Sequence, residues 1–281
     1  MDPEAYRAGA AEMWERSAQG WGRRRAAFDR AMMPATGALL DAARLQPGHR
    51  VLELAAGPGE TGLLAAELVK PGGSVIVSDA SEAMLEVARA RAAEREAADV
   101  EFLRIDAEWI DLSTATVDVV LCRFGLMLVA DPEAALQEVR RVLRPGGRLA
   151  LAAWADPAAN PWTELANQTA VELGFAEPRD PAAPGMFAFA PAGRIEDLLG
   201  GAGFLDAAVE TVGLDLRYDD LDGWWEERVD LSAPFNDLLT GLAPVDRDRF
   251  RSAIDARLTA FASPDGRLEI PASVLIAAAD A

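Results

Sequence analysis

An α/β fold around a mostly parallel sheet is what this sequence predicts, and three observations predict it. Short apolar runs rich in Val, Ile and Leu recur at residues 51–55, 74–78, 100–105, 117–122 and 148–154. Stretches of helical character separate them. The first run leads directly into a glycine-rich turn, Gly57-Pro58-Gly59. Strands alternating with helices imply βαβ units with right-handed crossovers.

The elements follow in order. Residues 4–44 read as helices, because Trp14, Trp21, Phe28 and Met32 recur at helical spacing. After the first strand a helix opens at Glu60 and runs to residue 69. The second strand gives way to a helix from Glu82 to about Glu96, with Ser81 as its N-cap. The third and fourth strands follow. A helix over 132–143 has Asp131 as N-cap and Pro132 at its first position. The Pro145-Gly146-Gly147 turn ends it before the fifth strand. Beyond residue 156 the pattern loosens. Helices are expected over 162–173, near 195–199 and, as two or three pieces, over 221–261, with strands near 207–218 and 273–279. The division implied is one domain over 1–281, with N-terminal helices over 1–44, a ligand-binding core over 45–156, and cap insertions over 157–190 and 219–262.

Composition bounds the function. An apolar fraction of 51% and a charged fraction of 26% suit a globular protein. No apolar run is long enough to span a membrane, and the N-terminus lacks the basic-then-apolar pattern of a secretory signal. A single cysteine, Cys122, allows no internal disulfide and no cysteine-cluster metal site, so a cytoplasmic setting is expected. The net charge of −19 disfavours a nucleic-acid partner, which needs phosphates neutralised. Arg23-Arg24-Arg25 is too short to reverse this and reads as a solvated helix face.

The informative segment is VLELAAGPGETG, residues 51–62. Glycines let the chain turn sharply and let a ligand approach the backbone. Gly57, Gly59 and Gly62 match the dinucleotide fingerprint, a weak signal alone. No Lys-Ser or Lys-Thr follows, which excludes a triphosphate P-loop. Glu53, inside the first strand, suits a cationic amino-acid ligand and would be unhelpful beside a pyrophosphate. Asp79 ends the second strand, where a carboxylate can accept both ribose hydroxyls of either a dehydrogenase or a methyltransferase cofactor. Asp106-Ala107-Glu108 follows the third strand, where a polar side chain can reach an adenine amine.

The ordered set ELAAGPG, VSDASEAML, FLRIDAEWIDL and VDVVLCRFGLMLVADPEAALQEVRRVLRPGGRLALAAW, within residues 51–154, resembles the class I S-adenosylmethionine-dependent methyltransferases. It is most similar to the subgroup related to the ubiquinone/menaquinone C-methyltransferases. The resemblance implies a Rossmann-like, seven-stranded, mostly parallel sheet whose last strand is antiparallel, with helices on both faces and a helical cap. It implies S-adenosylmethionine as cofactor and methylation of a small organic molecule at oxygen, nitrogen or carbon. The cofactor set it implies is Glu53, Ala55, Gly57, Gly59, Asp79, Ala80, Met84, Asp106, Ala107, Glu108 and Cys122, with Trp21 as a cover from the N-terminal helices. The likeness fades near residue 160, where acceptor choice would reside.

Bland readings stand beside these. Cys122 reads first as a buried small hydrophobe with nothing to activate it. Trp14 and Trp21 serve equally well as helix packing. Trp162, Phe187, Phe189, Trp224 and Trp225 fill the cap's own core or wall an apolar substrate chamber. His49, the one histidine, sits before the first strand, at the end of the sheet away from a crevice at the strands' carboxyl ends. No catalytic base is singled out, and no metal site is expected. Taken with the acidity, the aromatics suggest a neutral or weakly cationic, partly hydrophobic acceptor. An NAD(P)-dependent oxidoreductase would leave Glu53 and Asp106 unexplained. A non-catalytic S-adenosylmethionine-binding protein is the other alternative. The oligomeric state is not legible.

Overall fold

The computed structural model describes residues 2–180 and 183–281; Pro181 and Ala182, in the first expected cap insertion, lie outside the described residues. The chain order is α1 (Pro3–Ala43), β1 (Arg50–Leu54), α2 (Glu60–Leu68), β2 (Ser74–Asp79), α3 (Glu82–Glu94), β3 (Val100–Arg104), β4 (Val117–Arg123), α4 (Pro132–Val142) and β5 (Leu143–Trp154). Then come α5 (Pro161–Glu172), α6 (Arg194–Gly201), β6 (Leu205–Tyr218), α7 (Leu221–Leu231), α8 (Ala233–Gly241), α9 (Pro244–Leu258) and β7 (Leu268–Asp280). The seven strands form one sheet in the order β3-β2-β1-β4-β5-β7-β6. β7 runs antiparallel to both neighbours and the first five strands are parallel.

β1 lies inside the sheet, between β2 and β4, because both of its faces are apolar. Val51, Leu52 and Leu54 are buried, and Leu52 is in register with Ile76 on one side and Val120 on the other. Ser81 caps α3 as expected, accepting from Met84 N at 3.2 Å, and Asp131 caps α4, accepting from Ala134 N at 2.9 Å. On α4 the residues Ala135, Leu136, Val139 and Val142 form the buried stripe against the sheet.

Three expectations are corrected. The N-terminal helices are one continuous helix of 41 residues that runs through Pro34. A proline inside a helix costs roughly 3 kcal/mol; packing of α1 against the sheet, α3 and α7 offsets it, a contribution invisible to local propensity. Pro145-Gly146-Gly147 does not separate helix from strand but lies within the irregular start of β5, where the register against β4 shifts between Val117 and Val119. The last strand begins at Leu268, not 273, because β6 is long enough to pair with it from Leu205 to Tyr218.

The two insertions fold together. Trp224 Nε1 donates to the Trp162 carbonyl at 3.1 Å, and Arg257 donates to Thr169 Oγ1 at 2.8 Å and pairs with Glu172. Trp224, Trp225, Phe235 and Phe250 pack mostly edge-on or tilted, with centroids 5.2–6.2 Å apart.

Candidate functional site

β1, β2, β3 and β4 all end on one side of the sheet, and a cavity of about 370 Å³ opens there beneath the first half of α1. Its floor is strand ends and turns. Asp79, the last residue of β2, is almost completely buried yet faces the cavity. Its Oδ2 accepts from Gly57 N at 2.8 Å and its Oδ1 from Ser81 N at 2.9 Å. Burial raises its pKa, and these two backbone N–H groups act against that. No cation pairs with it among the described residues, so each oxygen keeps an acceptor site for a ligand.

Beneath the glycine turn, Glu53 Oε2 accepts from Gly62 N at 2.9 Å. Burial pushes the Glu53 carboxyl up to about 8, with Arg123 and the Gly62 N–H pulling the other way. A Cβ on Gly62 would fall 2.4 Å from Glu53 Oε2, so glycine is required for this close approach. At the ends of β1 and β4, Ala55 (φ 51°) and Phe124 (φ 66°) both adopt the left-handed conformation, uncommon for non-glycine residues. Both line the cavity. Phe124 stacks on Trp154 at 4.6 Å with ring planes 5° apart.

Of the residues expected at the cofactor site, Ala55, Gly57, Asp79, Ala80, Met84, Asp106, Ala107, Glu108 and Trp21 line the cavity. Glu53, Gly59 and Cys122 do not; they stand one layer behind it. Gly59 begins α2 against Ala88, where a Cβ would meet the alanine Cβ at 2.9 Å. Cys122 is fully buried and burial pushes its thiol up to about 12, so it packs rather than reacts. Glu108 is already engaged: it accepts from Ala130 N at 2.7 Å and from Arg7 Nε at 2.6 Å, which ties α1 to the rim.

α1 supplies a wall that sequence reasoning saw only in part. Trp14, Trp21 and Phe28 face the cavity in a column, with successive centroids 6.2 and 4.9 Å apart, so Trp21 both packs along the helix and lines the cavity. Trp21 Nε1 is buried without an acceptor among the described residues. Tyr6 donates to the Leu128 carbonyl at 2.8 Å. Glu15 accepts from Glu82 N at 2.8 Å and Ala83 N at 3.2 Å, satisfying free N–H groups at the start of α3.

Among the five cap aromatics, Trp162 lines this cavity, while Phe187, Phe189, Trp224 and Trp225 do not. Trp224 and Trp225 belong to the cap's own core, so the apolar-chamber expectation is corrected to Trp162, joined by Trp154 and Phe124 from the sheet. Besides Arg7, which is paired with Glu108 at the rim, two more arginines reach the wall, Arg123 and Arg228. Neither was singled out in the sequence. For Arg228 a signal existed, an arginine four residues beyond Trp224 on the same face of an aromatic helix. His49 sits in the turn before β1, outside the cavity lining, where its Nδ1 accepts from Gln46 N at 3.2 Å. Among the described residues, no group of three or more His, Cys, Asp or Glu side chains is arranged to hold a metal ion. Nor is any described helix long and apolar enough to cross a membrane.

A sheet ordered 3-2-1-4-5-7-6, with β7 reversed and a cavity at the parallel strand ends, defines the class I methyltransferase fold. The sequence model of the family described as "Methyltransferase domain" matches residues 54–151 of this chain. The chain is 36% identical over 119 residues to the ubiquinone/menaquinone biosynthesis C-methyltransferase of Cellvibrio japonicus, a match covering 42% of this chain and 48% of that protein. The chain thus spans about half the length of the curated relatives it matches. The YcgJ protein of Bacillus subtilis shares the fold with a TM-score of 0.58 at 21% identity, over 88% of this chain and 97% of that one. Phosphoethanolamine N-methyltransferase 2 of Haemonchus contortus, solved with phosphomonomethylethanolamine and S-adenosylhomocysteine, shares it with a TM-score of 0.56 at 19% identity, over 90% of this chain and 56% of that one.

Proposed function

We propose that this chain transfers the methyl group of S-adenosylmethionine to a small, partly hydrophobic organic acceptor bound in the same cavity. The observation that carries the reading is Asp79. A carboxylate with no cationic partner, held by two backbone N–H groups at the end of β2 and facing the cavity, matches a vicinal diol. Asp106 and Ala107 line the position for the adenine, and Ala55 and Gly57 leave the turn open for the amino-acid part. Glu53, behind the turn, favours a cationic ammonium there.

The cofactor supplies an activated methyl group on sulfur, transferred to the acceptor with cleavage of the carbon–sulfur bond. What the protein contributes is alignment and exclusion of water. α1 covers the cavity, Trp21 and Phe28 wall it, and the Phe124–Trp154 pair and Trp162 offer flat apolar surface. No side chain on the wall stands out as a general base. Tyr6 is committed to the Leu128 carbonyl, and burial raises its pKa.

The chain's acidity supports a neutral or weakly cationic acceptor only as a long-range bias; groups in contact weigh more, and these include Arg123 and Arg228. The same acidity speaks against nucleic acid, and the single buried cysteine is consistent with a cytoplasmic setting. Calorimetry with S-adenosylmethionine, S-adenosylhomocysteine and NAD tests the reading. Binding of the first two and not of NAD is expected, followed by methylated product with an acceptor panel. NAD binding in their place would favour an oxidoreductase. Cofactor binding with no product from any acceptor would favour the non-catalytic alternative.

A further inference from the structure

Burying a guanidinium is costly unless an anion accompanies it, and arginine does not escape by losing its proton. The buried and half-buried arginines of this protein mostly obey that rule. Arg91 pairs with Asp29 at 2.7 Å and with Glu60. Arg148 pairs with Asp280. Arg123, on the cavity wall, has Asp29 at 3.7 Å and donates to Thr36 Oγ1 at 2.9 Å.

Arg228 of α7 departs from it. Only 6% of the residue is exposed, and it lies on the wall of the same cavity. Among the described residues no carboxylate lies within ion-pairing distance of it. Among the described residues one hydrogen bond holds the guanidinium, from Nη2 to Thr163 Oγ1 at 3.1 Å. Its Nε is buried with no acceptor. The neighbouring acid, Glu227, is occupied with the Tyr218 hydroxyl, which donates to it at 2.8 Å. What surrounds the cation is aromatic: its Cζ stands 4.9 Å from the Trp162 ring centre and 5.8 Å from that of Phe235. Aromatic faces orient a guanidinium without occupying its in-plane donors, the ones that recognise a carboxylate.

We propose that Arg228 is the specificity-determining residue for the methyl acceptor, binding a carboxylate carried on a flat apolar body. This rests on the methyltransferase reading and names the substrate class for it. Arg228, Trp162, Trp154 and Phe124 stand in successive contact, one cation beside aromatic surface, in the cavity that Asp79 and the β1–β3 ends also line. Glu227 acts on Arg228 only from beyond ion-pairing distance, and a carboxylate in direct contact then arrives with the acceptor.

The test uses the full chain saturated with S-adenosylhomocysteine and three probes of one shape: 2-naphthoate, 2-naphthamide and 2-naphthylmethylammonium. Calorimetry is expected to give 2-naphthoate an affinity about tenfold or more above the amide, with the ammonium compound weakest. Arg228→Gln should erase the acid-over-amide preference while S-adenosylhomocysteine affinity stays at the wild-type value, and Arg228→Lys should keep part of the preference. Three results overturn the proposal: no 2-naphthoate binding at millimolar concentration, equal binding of acid and amide to the wild type, or a Gln variant that retains the preference. The wild-type comparison stands even if a variant does not fold. Failure of S-adenosylhomocysteine to bind at the outset would instead count against the methyltransferase reading.

Discussion

The floor and the roof of the cavity are made by different physics. The floor is backbone: strand ends, the Gly57–Gly59 turn and N–H groups that hold Asp79 from both sides. The roof is side chains: the aromatic column of α1, Trp162 of α5 and Arg228 of α7. A floor of that kind is tied to the local sequence that folds it, so it reads as a motif. A roof assembled from three helices far apart in the chain follows no local spacing. On the proposed reading, the floor serves the cofactor and the roof selects the acceptor.

Perturbing each half separately sharpens the contrast. The largest expected effect is in the roof's foundation. Trp224→Ala removes a fully buried ring whose Nε1 bonds the Trp162 carbonyl, and should cost about 3–5 kcal/mol in chemical denaturation. Stability within half a kcal/mol of wild type, roughly the range of a surface change, would show the cap core to be loosely packed. On the floor, Asp79→Ala should weaken S-adenosylhomocysteine binding by about 1.5–3 kcal/mol, as expected for losing a charged acceptor, and unchanged affinity would remove it from the ribose role.

A subtler difference is in pH dependence. The folded Glu53 carboxyl titrates near 8, above its ordinary value of 4.5. Protonated Glu53 is thus favoured in the folded state, and that contribution to stability is lost as pH rises from the ordinary carboxylate range to about 8. Wild-type melting temperature should fall relative to Glu53→Gln across that window, and a bound S-adenosylmethionine ammonium should narrow the gap by favouring the ionised form. Parallel curves for the two proteins would mean that Glu53 is ionised throughout. The smallest effect expected is none: with no cluster of metal-ligating side chains among the described residues, methyl transfer should survive EDTA, and loss of activity that magnesium restores would contradict this.

Much of the floor was legible. Ser81 and Asp131 were read as caps because capping depends on residues three apart. Asp79 was read from its place at a strand end, and it stands there with both oxygens engaged. Less legible was which residues touch the cavity. Glu53, Gly59 and Cys122 sit one layer behind its wall, because a strand alternates its faces and a tight turn hides part of itself. The cap aromatics misled for a related reason: Trp224 and Trp225 suit a chamber or a core equally well until their neighbours are known.

The sequence by itself determined the order of strands and helices, the glycine turn, the helix caps and the carboxylates at the strand ends, because all of these follow from residues within one or two elements of each other. Only the tertiary structure decided that α1 runs unbroken through Pro34, that Trp21 and Phe28 wall the cavity, and that Arg228 is buried beside it with no carboxylate of the described residues at ion-pairing distance. Those outcomes depend on what a side chain meets after the chain has folded. Net charge is a property of the whole chain, whereas the charge an acceptor meets is set by the few groups within contact of it, and near Arg228 the two have opposite signs.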